Sequence, residues 1–369
     1  MRVSSEEELA EAVRDAGGPL RIRGGGTRPV GRPVAGAALD VSGLCGIRLY
    51  EPGALTLVAA AGTPLAEIEA ALAGEGQRLA FEPADWRGLL GTTGEPTLGG
   101  VIAANVSGPR RVQAGAARDA LLGVRFVDGR GTVVKNGGRV MKNVTGYDLV
   151  KLMAGSWGTL GVLSEVSLKV LPAPEAAATL AITGLDDAAA IGAMTAALRS
   201  PFDVTGAAHG REGTLIRIEG FADSVAYRAG RLADLLATHG AAEILRDAGR
   251  AAEIWRAVRD VAPFHDRTGD VWRLSVAPTA AAALAARSGA DEVLYDWGGG
   301  LVWLLVQAGS DLRAALGDFA GHATVIRAAE ETRARIAPFP PEPAPVAAIS
   351  AGLRARFDPR GILNPGLMG

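Results

Sequence analysis

Leu9, Ala12, Val13 and Ala16 recur at three- and four-residue spacing in SSEEELAEAVRDAGG, with Ser5 and Glu8 ahead of them and Gly17 behind. This pattern predicts an N-terminal helix opened by a capping box. The period then shortens: PLRIR, LTLVAAAGT and TLGVLSEVSLKVLP read as strands, and in the last of these Val166, Leu168 and Val170 alternate with Ser167 and Lys169. LLGVRFVDGRGTVVKNG predicts a hairpin turning at Asp128-Gly129, and GYDLVKLMAGS a short helix. Pro172 and Pro174 close this part of the chain, in which glycine-rich connections join the short β runs. From 175 to about 335, the strands ATLAITG, TLIRIEGF, VWRLSVA, EVLYDW and LVWLLVQ alternate with alanine-rich helices, which predicts a second α+β domain. APFPPEPAP (337–345) is a stiff linker, followed by a helix and the turn-rich FDPRGILNPG.

A chain of 369 residues with 48% hydrophobic content has room for about two domains. The net charge is −2 and the pI near 6.2, with no basic run, so nucleic acid is excluded as a partner. The acidic start MRVSSEEELAEAV and the lack of a long apolar stretch predict a cytoplasmic protein with no direct membrane span. Cys45 is the sole cysteine, so an internal disulfide and a self-held iron–sulfur cluster are excluded, and the thiol is expected to be a small buried group. His209, His239, His265 and His322 form no metal-ligand pair, and no metal is expected.

The 50 glycines are about twice the usual share and concentrate in the first half. RGGGT (23–27) ends a strand, but Pro29 and Pro33 prevent a following helix, and neither G-x-G-x-x-G nor a G-K-[ST] loop is present. Bare backbone of this kind forms an anion-binding nest, for which glycine supplies positive φ. A second small-residue run spans Gly91 to Gly108, and a third is GSWGTLGVLSE (155–165). Each run alone also reads as tight turns in a compact β domain; in this order they predict a long ligand such as a dinucleotide.

RGGGT, TLGGVIAANVSGPRR, GYDLVKLMAGSWGTLGVLSEVSLKVLP and FDPRGILNPG resemble the flavoproteins of the vanillyl-alcohol oxidase/p-cresol methylhydroxylase type. Within that type, SGPRR and the short length resemble the FAD-binding subunits of bacterial glycolate oxidases. The resemblance implies an α+β fold: an FAD-binding domain over 1–172 with subdomains of roughly 1–50 and 51–172, a reduced ferredoxin-like cap over 175–335, and a linker and return over 336–369. It assigns Arg23, Gly24, Gly25, Gly26 and Thr27 to the FAD pyrophosphate, with Thr92, Thr97, Leu98, Gly99 and Gly100 from the second run. Asn105, Ser107, Arg110 and Asn364 would approach the isoalloxazine or its ribityl chain, and Gly155, Gly158, Gly161 and Val162 the adenine side. Thr27 stands where covalent relatives carry histidine, so FAD should be non-covalent; Trp157 stands where many relatives have glutamate, to stack on adenine or join the core.

The implied function is that of an FAD-dependent redox subunit in a glycolate or 2-hydroxy acid oxidase complex, with a second FAD-binding subunit and an iron–sulfur subunit as partners, and contact with the inner membrane only through them. A stand-alone 2-hydroxy acid dehydrogenase and a scaffold with a structural flavin are the alternatives. Oxidising a 2-hydroxy acid calls for a carboxylate clamp and a base. Arg273, mid-strand in VWRLSV, is a candidate for the clamp, and Arg110 for stabilising a reduced anionic flavin.

Overall fold

The first helix runs Glu6–Arg14 in the computed structural model, which describes residues 1–140 and 146–369. Ser5 Oγ accepts from the Glu8 N–H at 3.1 Å, while the Glu8 carboxylate accepts from the Ser4 N–H at 2.7 Å, so the capping box closes one residue earlier than its usual register. Leu9, Ala10 and Val13 bury against a parallel pair of strands, Leu20–Arg23 and Ala37–Asp40. The C-terminus completes this small core with Ile362 and Leu363. Leu20 donates to the Ile362 carbonyl at 2.7 Å and accepts from the Asn364 N–H at 3.0 Å, so the chain end docks on the strand that leads into RGGGT. Cys45, expected inside, is exposed: it lies in the turn between buried Leu44 and Gly46, whose φ of 104° reverses the chain.

An antiparallel five-stranded sheet follows in the order Ile47–Glu51, Thr56–Ala60, Val162–Lys169, Leu121–Val127, Val133–Gly137. The predicted hairpin is present, with Asp128 Oδ1 accepting from the N–H groups of Arg130 and Thr132, both at 2.9 Å. TLGGVIAANVSG, expected as connection, contains a helix, Leu98–Ala103, whose cap Thr97 accepts from the Gly100 N–H at 3.3 Å. A Cβ on Gly99 would stand 2.7 Å from the Ala61 Cβ, so glycine there sets how closely this helix lies on the sheet.

The cap is a single eight-stranded antiparallel sheet made of two ferredoxin-like βαββαβ units side by side. In the first, the order is Glu243–Leu245, Ala176–Ile182, Gly213–Gly220, Val204–Gly210; in the second it is mirrored as Glu292–Asp296, Leu301–Val306, Asp270–Val276, Gly321–Arg327. The two join where His209 pairs with Tyr295. One face, with Trp272, Leu274, Val302 and Leu304, packs on the helices Asp187–Leu198 and Pro278–Ser288. The other, with Val271, Leu294, Leu301, Trp303 and Ile326, shares a core with the first half of the chain.

A buried ion cluster joins cap to first half. Arg110 donates to Glu219 at 2.9 and 2.8 Å and pairs with Glu82 at 3.1 Å. Arg217 donates to Glu82 at 2.9 and 2.8 Å, and Arg78 to Glu219 at 2.9 Å. Burial alone would raise the Glu219 pKa, but hydrogen bonds from Arg110 and the charges of Arg217, Arg110 and Arg78 hold it far below the ordinary 4.5. A carboxyl depressed in the folded state stabilises it above about pH 4.5 and loses that contribution as pH falls. Glu219→Gln is therefore expected to cost about 3–5 kcal/mol at neutral pH by leaving buried guanidinium groups uncompensated. It should also flatten the loss of stability below about pH 4.5, both effects being measured by urea denaturation across pH.

Candidate functional site

A cavity of about 490 Å³ opens along RGGGT and is lined by Arg23, Gly24, Gly25, Gly26 and Thr27. No group among the described residues accepts from the N–H of Gly24, Gly25, Gly26 or Thr27, so four donors are left for an anion. Only Gly26 of the three glycines has positive φ, at 70°. Gly25 is required for a different reason: a Cβ there would lie 1.5 Å from the Glu95 carbonyl oxygen, and a Cβ on Gly94 would lie 1.8 Å from the Gly25 carbonyl oxygen. Two bare backbones therefore cross in contact, and the second run fixes the shape of the first. Thr92 takes part by donating its hydroxyl to the Thr27 carbonyl at 3.1 Å, without lining the cavity.

Thr97, Gly99 and Gly100 do line it, and most of the backbone donors around them are already taken. The Leu98 N–H goes to Thr63, that of Gly99 to Ala61 and that of Gly100 to Thr97, and the Leu98 side chain is fully buried in the core. From the third run, Gly158, Gly161 and Val162 reach the same cavity. The Asn364 side chain also lines it, but its amide is already engaged. Oδ1 accepts from Ile22 N–H at 2.8 Å and Nδ2 donates to the Trp157 carbonyl at 2.8 Å, so it buckles the first strand to the third run.

Trp157, at φ 53°, lines this cavity and also a second one of about 660 Å³, and makes an edge contact with Phe339 at 5.5 Å. Asn105, Ser107 and Gly155 are brought to the second cavity. The Asn105 and Ser107 side-chain oxygens accept from Arg118 and Ala117 N–H, at 3.1 and 2.9 Å, which fixes their orientation. Arg110 does not line this cavity: its guanidinium is held through Nε and Nη2 by Glu219 and Glu82 in the ion cluster.

The opposite wall of the second cavity is the cap sheet. Arg273 pairs across strands with Trp303 and Thr324, Ser275 with His322, and Asp296 with Leu301, which puts all of them on the face toward the first half. All seven line the cavity, together with Arg111 and Trp297. Asp296, Trp297 and Trp303 were not singled out in the sequence, and His322 was weighed there only as a metal ligand. The signal for most of them lies in strand register, where Arg273 and Ser275 alternate with buried Trp272 and Leu274. Burial raises the Asp296 pKa to about 7, against the Trp297 N–H that donates to it, and lowers Arg273 to about 10, helped by the charge of Arg111.

A family profile described as FAD binding domain matches residues 1–137. Over 365 residues the chain is 36% identical to glycolate oxidase subunit GlcE of Escherichia coli (strain K12), covering 98% of this chain and 95% of the relative. The chain belongs to the GlcE family. It is an FAD-binding oxidoreductase of the vanillyl-alcohol oxidase/p-cresol methylhydroxylase fold. A shorter stretch of 84 residues is 42% identical to glycolate oxidase subunit GlcD of Bacillus subtilis, covering 23% of this chain and 18% of that one. Alkyldihydroxyacetonephosphate synthase shares the fold with a TM-score of 0.73 at 16% identity, over 99% of this chain and 76% of its own.

The residues present fit FAD. Four unpaired backbone donors suit a pyrophosphate, and the two cavities meeting at Trp157 suit an extended dinucleotide. Gly25→Ala is expected to push the loop off Glu95 and to weaken FAD retention about tenfold or more, since a tenfold change needs only about 1.4 kcal/mol. Gly17→Ala, whose Cβ would meet nothing within 4 Å, should retain FAD fully; flavin absorbance per polypeptide reads both.

Proposed function

We propose that this chain holds FAD non-covalently and serves as the FAD-binding redox subunit of a complex that oxidises glycolate or a related small 2-hydroxy acid. In it, electrons pass towards an iron–sulfur partner. The observation that carries this reading is the similarity to GlcE over nearly the whole of both chains, added to a nest of free backbone donors at RGGGT. Arg23 to Thr27 would hold the pyrophosphate, Gly158, Gly161 and Val162 the adenine side, and Asn105 and Ser107 the side of the ring system, joined by Gly155, which the resemblance assigns to the adenine side but which lines the second cavity. Bound there, FAD supplies an acceptor for the two electrons of an alcohol oxidation and can release them singly.

The rest of the reading follows from what the chain itself can ligate. A cluster needs about four thiolates and the chain has one, exposed Cys45, so the iron–sulfur centre belongs to another subunit. The other partner in this reading is a second FAD-binding subunit, supported by the existence of a further glycolate oxidase subunit, GlcD, to which this chain is similar over 84 residues. No helix among the described residues is long and apolar enough to cross a membrane. We place the complex in the cytoplasm, with any contact at the inner membrane made through its partners.

Acid precipitation of the purified yellow chain should leave intact FAD in the supernatant, since Thr27 offers no ring nitrogen for a covalent bond; flavin that stays with the pellet counts against the non-covalent site. In steady-state glycolate oxidation with a dye acceptor, activity per FAD should rise at least about tenfold when the chain is combined with the second flavoprotein and the iron–sulfur subunit. Equal activity with and without them would overturn the relay.

A further inference from the structure

We infer that the second cavity is a binding site for a small 2-hydroxy carboxylate, in which Arg273 takes the carboxylate and Asp296 accepts from the hydroxyl. This rests on the reading that FAD runs from the first cavity into the second, with its ring system beside Asn105 and Ser107, because that makes the cap sheet the substrate side of the flavin.

The first support is an imbalance of charge. Arg110, Arg217 and Arg259 are arginines of the domain interface, and each ends on a carboxylate at 2.8 Å. Arg273 and Arg111 make no salt bridge or hydrogen bond among the described residues, although burial disfavours the charged form of both. A guanidinium taken out of water is costly unless an anion meets it. The aromatic surroundings hold the two groups without neutralising them: Arg111 lies 4.4 Å and Arg273 5.3 Å from the Trp297 ring centre, and Arg273 also lies 6.0 Å from that of Trp303. Trp297 is itself anchored by donation from Nε1 to the Gly108 carbonyl at 3.1 Å. None of the Arg273 nitrogens is sealed in the protein without a partner, so they border the cavity rather than a dry gap.

Asp296 supplies the second point of contact. It is 3% exposed, and its Oδ1 accepts from the Trp297 N–H at 2.7 Å. Its Oδ2 has no partner among the described residues. Cross-strand register sets Asp296 and Arg273 on one sheet face, separated by the strand that carries Trp303. A 2-hydroxy acid bears an anion and a donor on adjacent carbons, matching a cation and an acceptor on one wall.

The test is an equilibrium titration of the purified FAD-containing chain with glycolate, following tryptophan fluorescence and flavin absorbance. Glycolate should bind saturably, at least tenfold tighter than its neutral isostere glycolamide and tighter than acetate. Arg273→Met should weaken glycolate at least tenfold, whereas Arg231→Met, on an exposed helix face, should bind it as the unmodified chain does. Glycolamide binding as tightly as glycolate, or undiminished binding by Arg273→Met, would each overturn the assignment. Should Arg273→Met not fold, the glycolate-to-glycolamide ratio in the unmodified chain decides. Tryptophan fluorescence reports whether or not flavin is retained, so a chain that lacks FAD refutes the cofactor reading, while failure to discriminate the ligands refutes this one.

Discussion

Three guanidinium groups meeting two carboxylates, all withdrawn from solvent, fix the cap sheet against the first half of the chain. Such a cluster is weak evidence for stability, because desolvating the charges costs about as much as their attraction returns. Its value is directional. Glu82 comes from the segment beside the second glycine run, whereas Arg217 and Glu219 sit on a cap strand, so the cluster forms only when the sheet takes one position over the second cavity. Arg273, Asp296 and His322 then face the cavity because the sheet does; nothing local to those residues would put them there.

The glycine loops obey a similar logic at shorter range. A nest for phosphate has to keep its N–H groups unpaired and yet stay rigid, and the chain meets both demands by packing backbone on backbone. Gly25 and Gly94 let the two runs touch through their carbonyls, Thr92 ties the loop from behind, and Asn364 uses both ends of its amide to join the first strand to the third run. The N–H groups of Leu98, Gly99 and Gly100 are consumed in holding and capping the short helix, so the second run mainly shapes the cavity while the first supplies its backbone donors.

These features were legible in the sequence to different degrees, for physical reasons. RGGGT and the small-residue runs stand out because contacts of this kind admit no side chain, and that constraint is written in residue type. Arg273 stands out as a charge in the middle of an apolar strand. Arg110 misleads: it adjoins the glycine run, but the carboxylate that captures it lies 109 residues further along. The strands Val204–Gly210 and Gly321–Arg327 escaped notice because VTGAAHG and GHATVIR carry small residues and little alternation; their partners, not their propensity, make them strands. Cys45 shows the same limit, since a turn of the chain rather than the character of the thiol decides its exposure.

Asp296 was invisible for the reason that makes it useful. In EVLYDWGGG it reads as the start of a turn, and it does cap one, holding Trp297 at φ 54° through its N–H. Only one carboxylate oxygen is needed for that. The cap sheet alternates strictly: residues whose side chains point away from the cavity, Trp272, Leu274, Val302 and Leu304, bury against helices and stabilise the sheet. Their neighbours are thereby free to be polar, and Arg273, Ser275 and Asp296 occupy those positions at a cost the buried face offsets. Doubling the ferredoxin-like unit extends this division across eight strands, so that one unit supplies the wall of the second cavity and the other the carboxylate and guanidinium that hold the wall in place.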